Sequence, residues 1–191
     1  MKKLVFLLLV ALIISPIYSQ ENIGISGFSW GTKDAQIRNS LGRFNENEKE
    51  GGLVIYTYWN KKTYSYNADL SFIFINNELV GGAYDINSCH RIRPGKYDSN
   101  YYINAYSDLK HKLTNEYGTP IASNDFPKVY LELPSNAPQR TKDLILKSKM
   151  PYYTVWNLDD GTAVTLVFDY DSDWTLLYSY ASKRLLESSE M

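Results

Sequence analysis

Thiol chemistry and metal ligation rest in this chain on one cysteine, Cys89, and two histidines, His90 and His111. A cysteine–histidine enzyme needs the base within hydrogen-bond reach of the thiol, and neighbours on an extended backbone point to opposite sides. Cys89 therefore reads as a small buried hydrophobe, and alone it forms no disulfide within its own chain. His111, between Lys110 and Lys112, falls on the polar side of a helical pattern, and neither histidine has a second ligand at zinc spacing. Asp169, Asp171 and Asp173 alternate as at the start of a calcium loop. Trp174, however, stands where the turn glycine belongs, and Tyr180 where the bidentate glutamate belongs, so a polar hairpin turn accounts for the acids. No serine lies in a nucleophile elbow. Gly51-Gly52 and Gly81-Gly82 are isolated pairs suited to close backbone packing rather than to cradling phosphate. The sequence thus names no catalytic residue, no cofactor and no metal. A carboxylate pair for hydrolysis, which meets only in the fold, keeps an unrecognised hydrolase open as an alternative.

The positive signal is aromatic, with 17 tyrosines against 7 phenylalanines and 4 tryptophans. Tyr56 and Tyr58 alternate on one side of an extended segment, as do Tyr64 and Tyr66, and Trp174, Leu176, Tyr178 and Tyr180 alternate on another. Tyrosine and tryptophan give large, stiff contact area with a polar tip, which suits a binding surface. Tyr56, Tyr58, Trp174, Tyr178 and Tyr180 are accordingly the candidate partner-binding residues. The competing reading is that the same rings fill the core beneath helices.

Period-two and period-3.6 patterns set the elements that would hold these rings. Ile23, Ile25, Phe28 and Trp30 suggest a short strand. Thr32, Asp34, Ile37 and Leu41 suggest a helix that Gly42 stops. The acidic run 44–52 reads as a solvated loop. Leu53 to Trp59 reads as a strand, Asn60-Lys61-Lys62 as a turn, and Tyr66 to Phe74 as a strand. The Asn76-Asn77 turn leads into a further strand, Leu79 to Ile86. Tyr102, Tyr106, Leu109, Leu113 and Tyr117 make one stripe of a long helix, about Asp98 to Tyr117, with Gly118 and Pro120 beyond its end. A strand around Val129 to Leu133 and a helix around Thr141 to Lys147 follow. Tyr152–Leu158, Thr162–Tyr170 and Trp174–Ser182 read as strands joined by polar turns, with a polar tail from Lys183. The order predicts an α+β fold, an antiparallel sheet with helices on one face, compatible with two tandem helix-plus-three-strand units over 23–92 and 98–182.

Met1-Lys2-Lys3, the apolar run Leu4 to Ile14, and Ser15-Pro16 ahead of Ser19 have the order of a signal peptide, with residues 1–19 removed. The run is shorter than the about 20 apolar residues of a permanent span. The expectation is a single domain over 20–191, without stable membrane insertion, in the periplasm or outside the cell. Without the two leader lysines, 18 Lys and Arg face 21 Asp and Glu, a formal charge of −3, which gives nucleic acid no basic patch to meet.

Phe28-Ser29-Trp30-Gly31-Thr32, then Ile37 and Leu41-Gly42, resembles the opening of many small exported bacterial proteins of unknown function. The layout of a helix followed by hairpins is similar to the β-lactamase inhibitor protein fold and to outer-membrane assembly lipoproteins of the SmpA/OmlA type. The acylated cysteine of those lipoproteins and the bracing disulfides of those inhibitors have no counterpart here. The resemblance implies a non-enzymatic binding or assembly role. Together with the aromatic strands, it favours an exported protein that binds another protein or a cell-envelope component through a sheet face. The alternative is a carrier for a small lipid or carbohydrate in a cavity lined by Phe72, Phe74 and Tyr106.

Overall fold

The computed structural model describes residues 24–86, 99–171, 173–183 and 185. The leader 1–19, Cys89 and His90 lie outside them. Helix α1 spans Asp34–Leu41, followed by strands β1 (Glu46–Glu50), β2 (Leu53–Thr63), β3 (Tyr66–Ile75) and β4 (Glu78–Asp85). The long helix α2 (Ser99–Tyr117) opens the second half. Behind it come β5 (Ala122–Asn124), the short helices α3 (Lys128–Leu131) and α4 (Gln139–Lys147), and β6 (Tyr152–Asn157), β7 (Thr162–Asp171) and β8 (Asp173–Ser182). The strands form one antiparallel sheet in the order β1-β2-β3-β4-β8-β7-β6-β5. Each half opens on a helix and supplies four strands, the second half with α3 and α4 inserted after β5, and the last strand of each half meets the other at the sheet's centre.

Helices end and hairpins turn where the backbone needs a left-handed residue. Gly42 and Gly118 sit at φ 81 and 82 just past α1 and α2, and their N–H groups bond back to Arg38 and Thr114. Asn76 and Asn77, at φ 51 and 65, turn β3 into β4, a conformation that asparagine tolerates better than most residues. The β1 segment, predicted as a loop, is an edge strand whose five side chains are all exposed. A charged edge needs no apolar face, and it deters pairing with other chains. The expected turn at Asn60-Lys61-Lys62 is a bulge inside a longer β2, with Asn60 at φ 54 and its N–H held by Asp69. Ile25 and Phe28 do not extend a strand but face each other across the tight turn Ser26-Gly27. The expected strand at Val129–Leu133 is the helical turn of α3.

All the helices cover one side of the sheet. Ile37 of α1, Tyr102, Tyr106, Leu109 and Leu113 of α2, and Leu146 of α4 join one buried cluster with the even-numbered side chains of β2, β3, β6, β7 and β8. On that face the register lines up Tyr56, Phe72, Gly82, Tyr180, Val164 and Trp156 in one cross-strand row. The next row holds Tyr58, Leu70, Tyr84, Tyr178, Leu166 and Thr154. The reverse face carries a smaller cluster, Ile73, Val80 and Ala181 with Leu53, Ile55, Ile75 and Leu185.

Gly82 interrupts the first row for a steric reason. A Cβ there would lie 2.7 Å from the Ser71 carbonyl oxygen and 2.9 Å from Ile25 Cδ1. The missing side chain is the space in which Ile25 seats the N-terminal turn against the sheet. Trp30 pins the same segment to the other half, since its Nε1–H donates to Thr162 Oγ1 at 2.7 Å, a buried bond that bridges 132 positions. Asp160 orients that hydroxyl by accepting from it at 2.9 Å and from the Thr162 N–H at 2.8 Å. Trp30→Phe keeps a smaller aromatic ring but leaves Thr162 Oγ1 without its buried donor. The expected loss is about 1–2 kcal/mol of unfolding free energy, measured by urea denaturation, and a midpoint equal to wild type would show that the bond contributes nothing.

Candidate functional site

The five residues singled out for partner binding all lie on the helix-covered side. Tyr56, Tyr58, Trp174, Tyr178 and Tyr180 are 8, 1, 8, 1 and 8% exposed. Alternation marked them as sharing faces but does not say which face the helices take. Tyr56 stacks on Phe44 at 4.4 Å, Tyr58 meets Phe72 edge-on at 5.8 Å, and Trp174 stacks on Phe168 at 5.3 Å, so these three are core packing. Phe72, Phe74 and Tyr106, expected to line a carrier cavity, are likewise 0, 1 and 1% exposed within the same cluster. Among the described residues no three His, Cys, Asp or Glu side chains group as a metal site, and His111 lies exposed on α2 against Asn115.

Tyr178 and Tyr180 differ from the others because they reach a cleft of about 280 Å³. It lies where β4 and β8 meet, and it is lined by Gly24, Ile25, Ser26, Thr63, Tyr64, Tyr84, Glu116, Tyr117, Tyr178 and Tyr180. Four parts of the fold build it. The β4·β8 junction sets Tyr84 directly opposite Tyr178, their rings stacked at 5.0 Å, and Tyr180 meets Tyr178 edge-on at 5.8 Å. The last turn of α2 brings Glu116 and Tyr117. The Ser26-Gly27 turn, seated by Ile25 over Gly82, forms one lip. The β2–β3 turn presents Tyr64 as the other lip, 43% exposed and at φ 49, a left-handed conformation that a bulky residue adopts only under constraint.

The polar atoms are the distinctive part of the lining. Tyr64 donates its hydroxyl to Glu116 Oε2 at 2.5 Å, and the Tyr117 and Tyr180 hydroxyls bond each other at 3.2 Å. Tyr178 is 1% exposed as a residue, but its hydroxyl is not among the sealed unpaired atoms of the described residues and opens on the cleft. Burial pushes all five phenols above the usual range for tyrosine. For Tyr64 the hydrogen bond to the Glu116 carboxylate is the next cause. The phenols are therefore protonated at neutral pH, each able to donate and to accept, and none is a ready base or nucleophile. Among the described residues the lining contains no histidine, cysteine or lysine, and its polar groups are phenols, the hydroxyls of Ser26 and Thr63 and the Glu116 carboxylate.

The chain matches no family model, no curated protein and no solved structure. Sequence reasoning named Tyr178 and Tyr180 as candidates and noted Tyr64 beside Tyr66 in the aromatic pattern, but did not place Tyr64, Tyr84, Tyr117 or Glu116 at a site. Tyr64 and Tyr180 are 116 positions apart, and only the β4·β8 pairing brings the two halves into register. Tyrosine at the end of a helix and in a hairpin turn, where turn formers are expected, was the available signal.

Proposed function

We propose that the protein is an exported, non-enzymatic binding protein, and that it holds its partner, a protein or other cell-envelope component, at the tyrosine cleft where β4, β8 and the end of α2 meet. Tyr178 carries this reading. Its ring is buried while its hydroxyl opens on the cleft, where a ligand group can exchange a hydrogen bond with it. Tyr64 supports the same reading, because an exposed aromatic side chain in a left-handed turn is costly to the fold and useful as a lip over a ligand. The charged start, apolar run and Ser19 of the leader support export.

The test is an aromatic NMR spectrum of the protein with labelled tyrosines, recorded with and without an extract of native envelope and medium. Binding at the cleft is expected to move Tyr64, Tyr84, Tyr117, Tyr178 and Tyr180 and to leave Tyr58, Tyr106 and Tyr152 in place. Shifts confined to other tyrosines, or none, would remove the cleft from this role.

A further inference from the structure

Resting on the reading of the cleft as a binding site, we infer that the group it receives is a primary ammonium, carried by a lysine side chain or by a free alkylamine. The charge balance points this way. Among the described residues Glu116 supplies the only formal charge in the lining, and no cation pairs with it. The rest of the lining offers oxygen acceptors, among them the Tyr178 hydroxyl that opens on the cleft. An ammonium has three donors and no acceptor, so it can give one to the Glu116 carboxylate, one to Tyr178 and one to a neighbouring phenol. The aromatic walls add attraction for a cation. A neutral hydroxyl ligand would use the same oxygens but leave the charge on Glu116 unopposed.

The chain already uses this arrangement on the outer side of the same lip. Lys112 Nζ bonds Asp108 at 2.7 Å while lying 5.8 Å from the ring centre of Tyr64 and 5.6 Å from that of Tyr66. An ammonium between a carboxylate and tyrosine rings is thus stable in this surface chemistry. The cleft repeats the carboxylate and the rings without an internal lysine. Glu116 itself is exposed, which keeps its electrostatic contribution modest.

The purified protein is titrated with acetyl-lysine amide, with butylamine, with acetyl-norleucine amide as the neutral match, and with glucose as a neutral polyol, the five cleft tyrosines being followed by NMR. Both amines are expected to bind saturably and the norleucine compound not to bind. Tighter binding of acetyl-lysine amide would assign the source to a polypeptide, and equal binding to a free amine. Glu116→Gln, with an unchanged thermal midpoint, is expected to weaken amine binding about fivefold, the scale of one partly exposed charge-assisted hydrogen bond. Tyr64→Phe, which keeps the lip ring and frees a carboxylate oxygen, is expected to retain binding or tighten it. Equal affinity for the norleucine compound, or an unaffected Glu116→Gln, would overturn the ammonium inference. Glucose moving the five tyrosines while the amines do not would also overturn it, yet would leave the binding cleft standing. Silence from every probe sinks the inference, and the extract experiment then decides the cleft separately.

Discussion

Raised above about pH 10, the protein is expected to unfold cooperatively within about two pH units, with phenolate absorbance and loss of sheet circular dichroism rising together. Tyr106, Tyr178 and Tyr180 are 1, 1 and 8% exposed, and burial holds each phenol above its ordinary value of 10.0. Tyr152, fully buried, is pushed up to about 12 for the same reason. Below pH 10 these groups are protonated in both states and contribute no pH dependence. Above it the unfolded chain releases protons that the folded chain keeps, so stability falls as pH rises. Each such phenol costs about 1.4 kcal/mol per pH unit until its folded value is reached. Tyr106, Tyr178 and Tyr180 together remove about 4 kcal/mol per unit, against a total stability of about 5–15 kcal/mol for a domain. Gradual ionisation of all the tyrosines near their ordinary value, with the sheet intact, would show that burial does not hold these phenols protonated and that this account of the core is wrong.

The regular parts of the fold were legible because their burial has one period. Tyr66, Ala68, Leu70, Phe72 and Phe74 read as one face of a strand and are one face of β3. The stripe Tyr102, Tyr106, Leu109 and Leu113 is the buried side of α2, and Gly118 stops that helix where it was expected to. The readings that failed have a common cause, since each depended on a neighbour the local pattern does not encode. The β1 strand exists through its pairing with β2, although nothing in Glu46-Asn47-Glu48-Lys49-Glu50 favours burial. Val129, Tyr130 and Leu131 have strand propensity, but Pro127 sets the start of a helical turn whose first carbonyl accepts from Tyr130. At Asn60 the buried carboxylate of Asp69 holds a bulge that keeps β2 running to Thr63, where polar residues alone suggested a turn.

The site was legible only in part, for a different reason. Alternation identifies residues that share a side of a strand, and Tyr178 and Tyr180 do so. Whether that side becomes core or surface depends on where the helices fall, and here they fall on the aromatic side. The cleft survives as a gap in that covering, at the seam between the two halves, because Gly82 admits Ile25 and because α2 ends at Tyr117 before it closes over Tyr180. Both conditions involve partners far apart in sequence.

Phe168→Ala is expected to lower unfolding free energy by about 3–5 kcal/mol, the range for deleting a buried aromatic ring. Phe168 is fully buried and is the common neighbour of rings from four parts of the chain. Trp174 of β8 stacks on it at 5.3 Å, Tyr152 of β6 lies at 6.2 Å, Tyr102 and Tyr106 of α2 both at 6.3 Å, and Phe126 ahead of α3 at 6.1 Å. No one of these can fill the void without leaving its own contacts, so collapse of the cavity is opposed from every side. The loss should also reach α4, whose Lys147 ammonium lies 3.4 Å from the ring centre of Tyr170 and 5.2 Å from that of Trp174. Once Trp174 loses its stacking partner, α4 loses part of its anchor, and amide exchange over Gln139–Lys147 is expected to quicken more than exchange in β2 and β3. Phe168→Leu, which keeps most of the volume, should cost less than about 1.5 kcal/mol. Leu131→Ala, at a side chain 66% exposed, should cost less than about 0.5 kcal/mol. Urea denaturation ranks the three variants. If Phe168→Ala fell no lower than Phe168→Leu, the core would be repacking around the hole, and the aromatic cluster would be a loose filling instead of the interlocked set that its ring geometry describes.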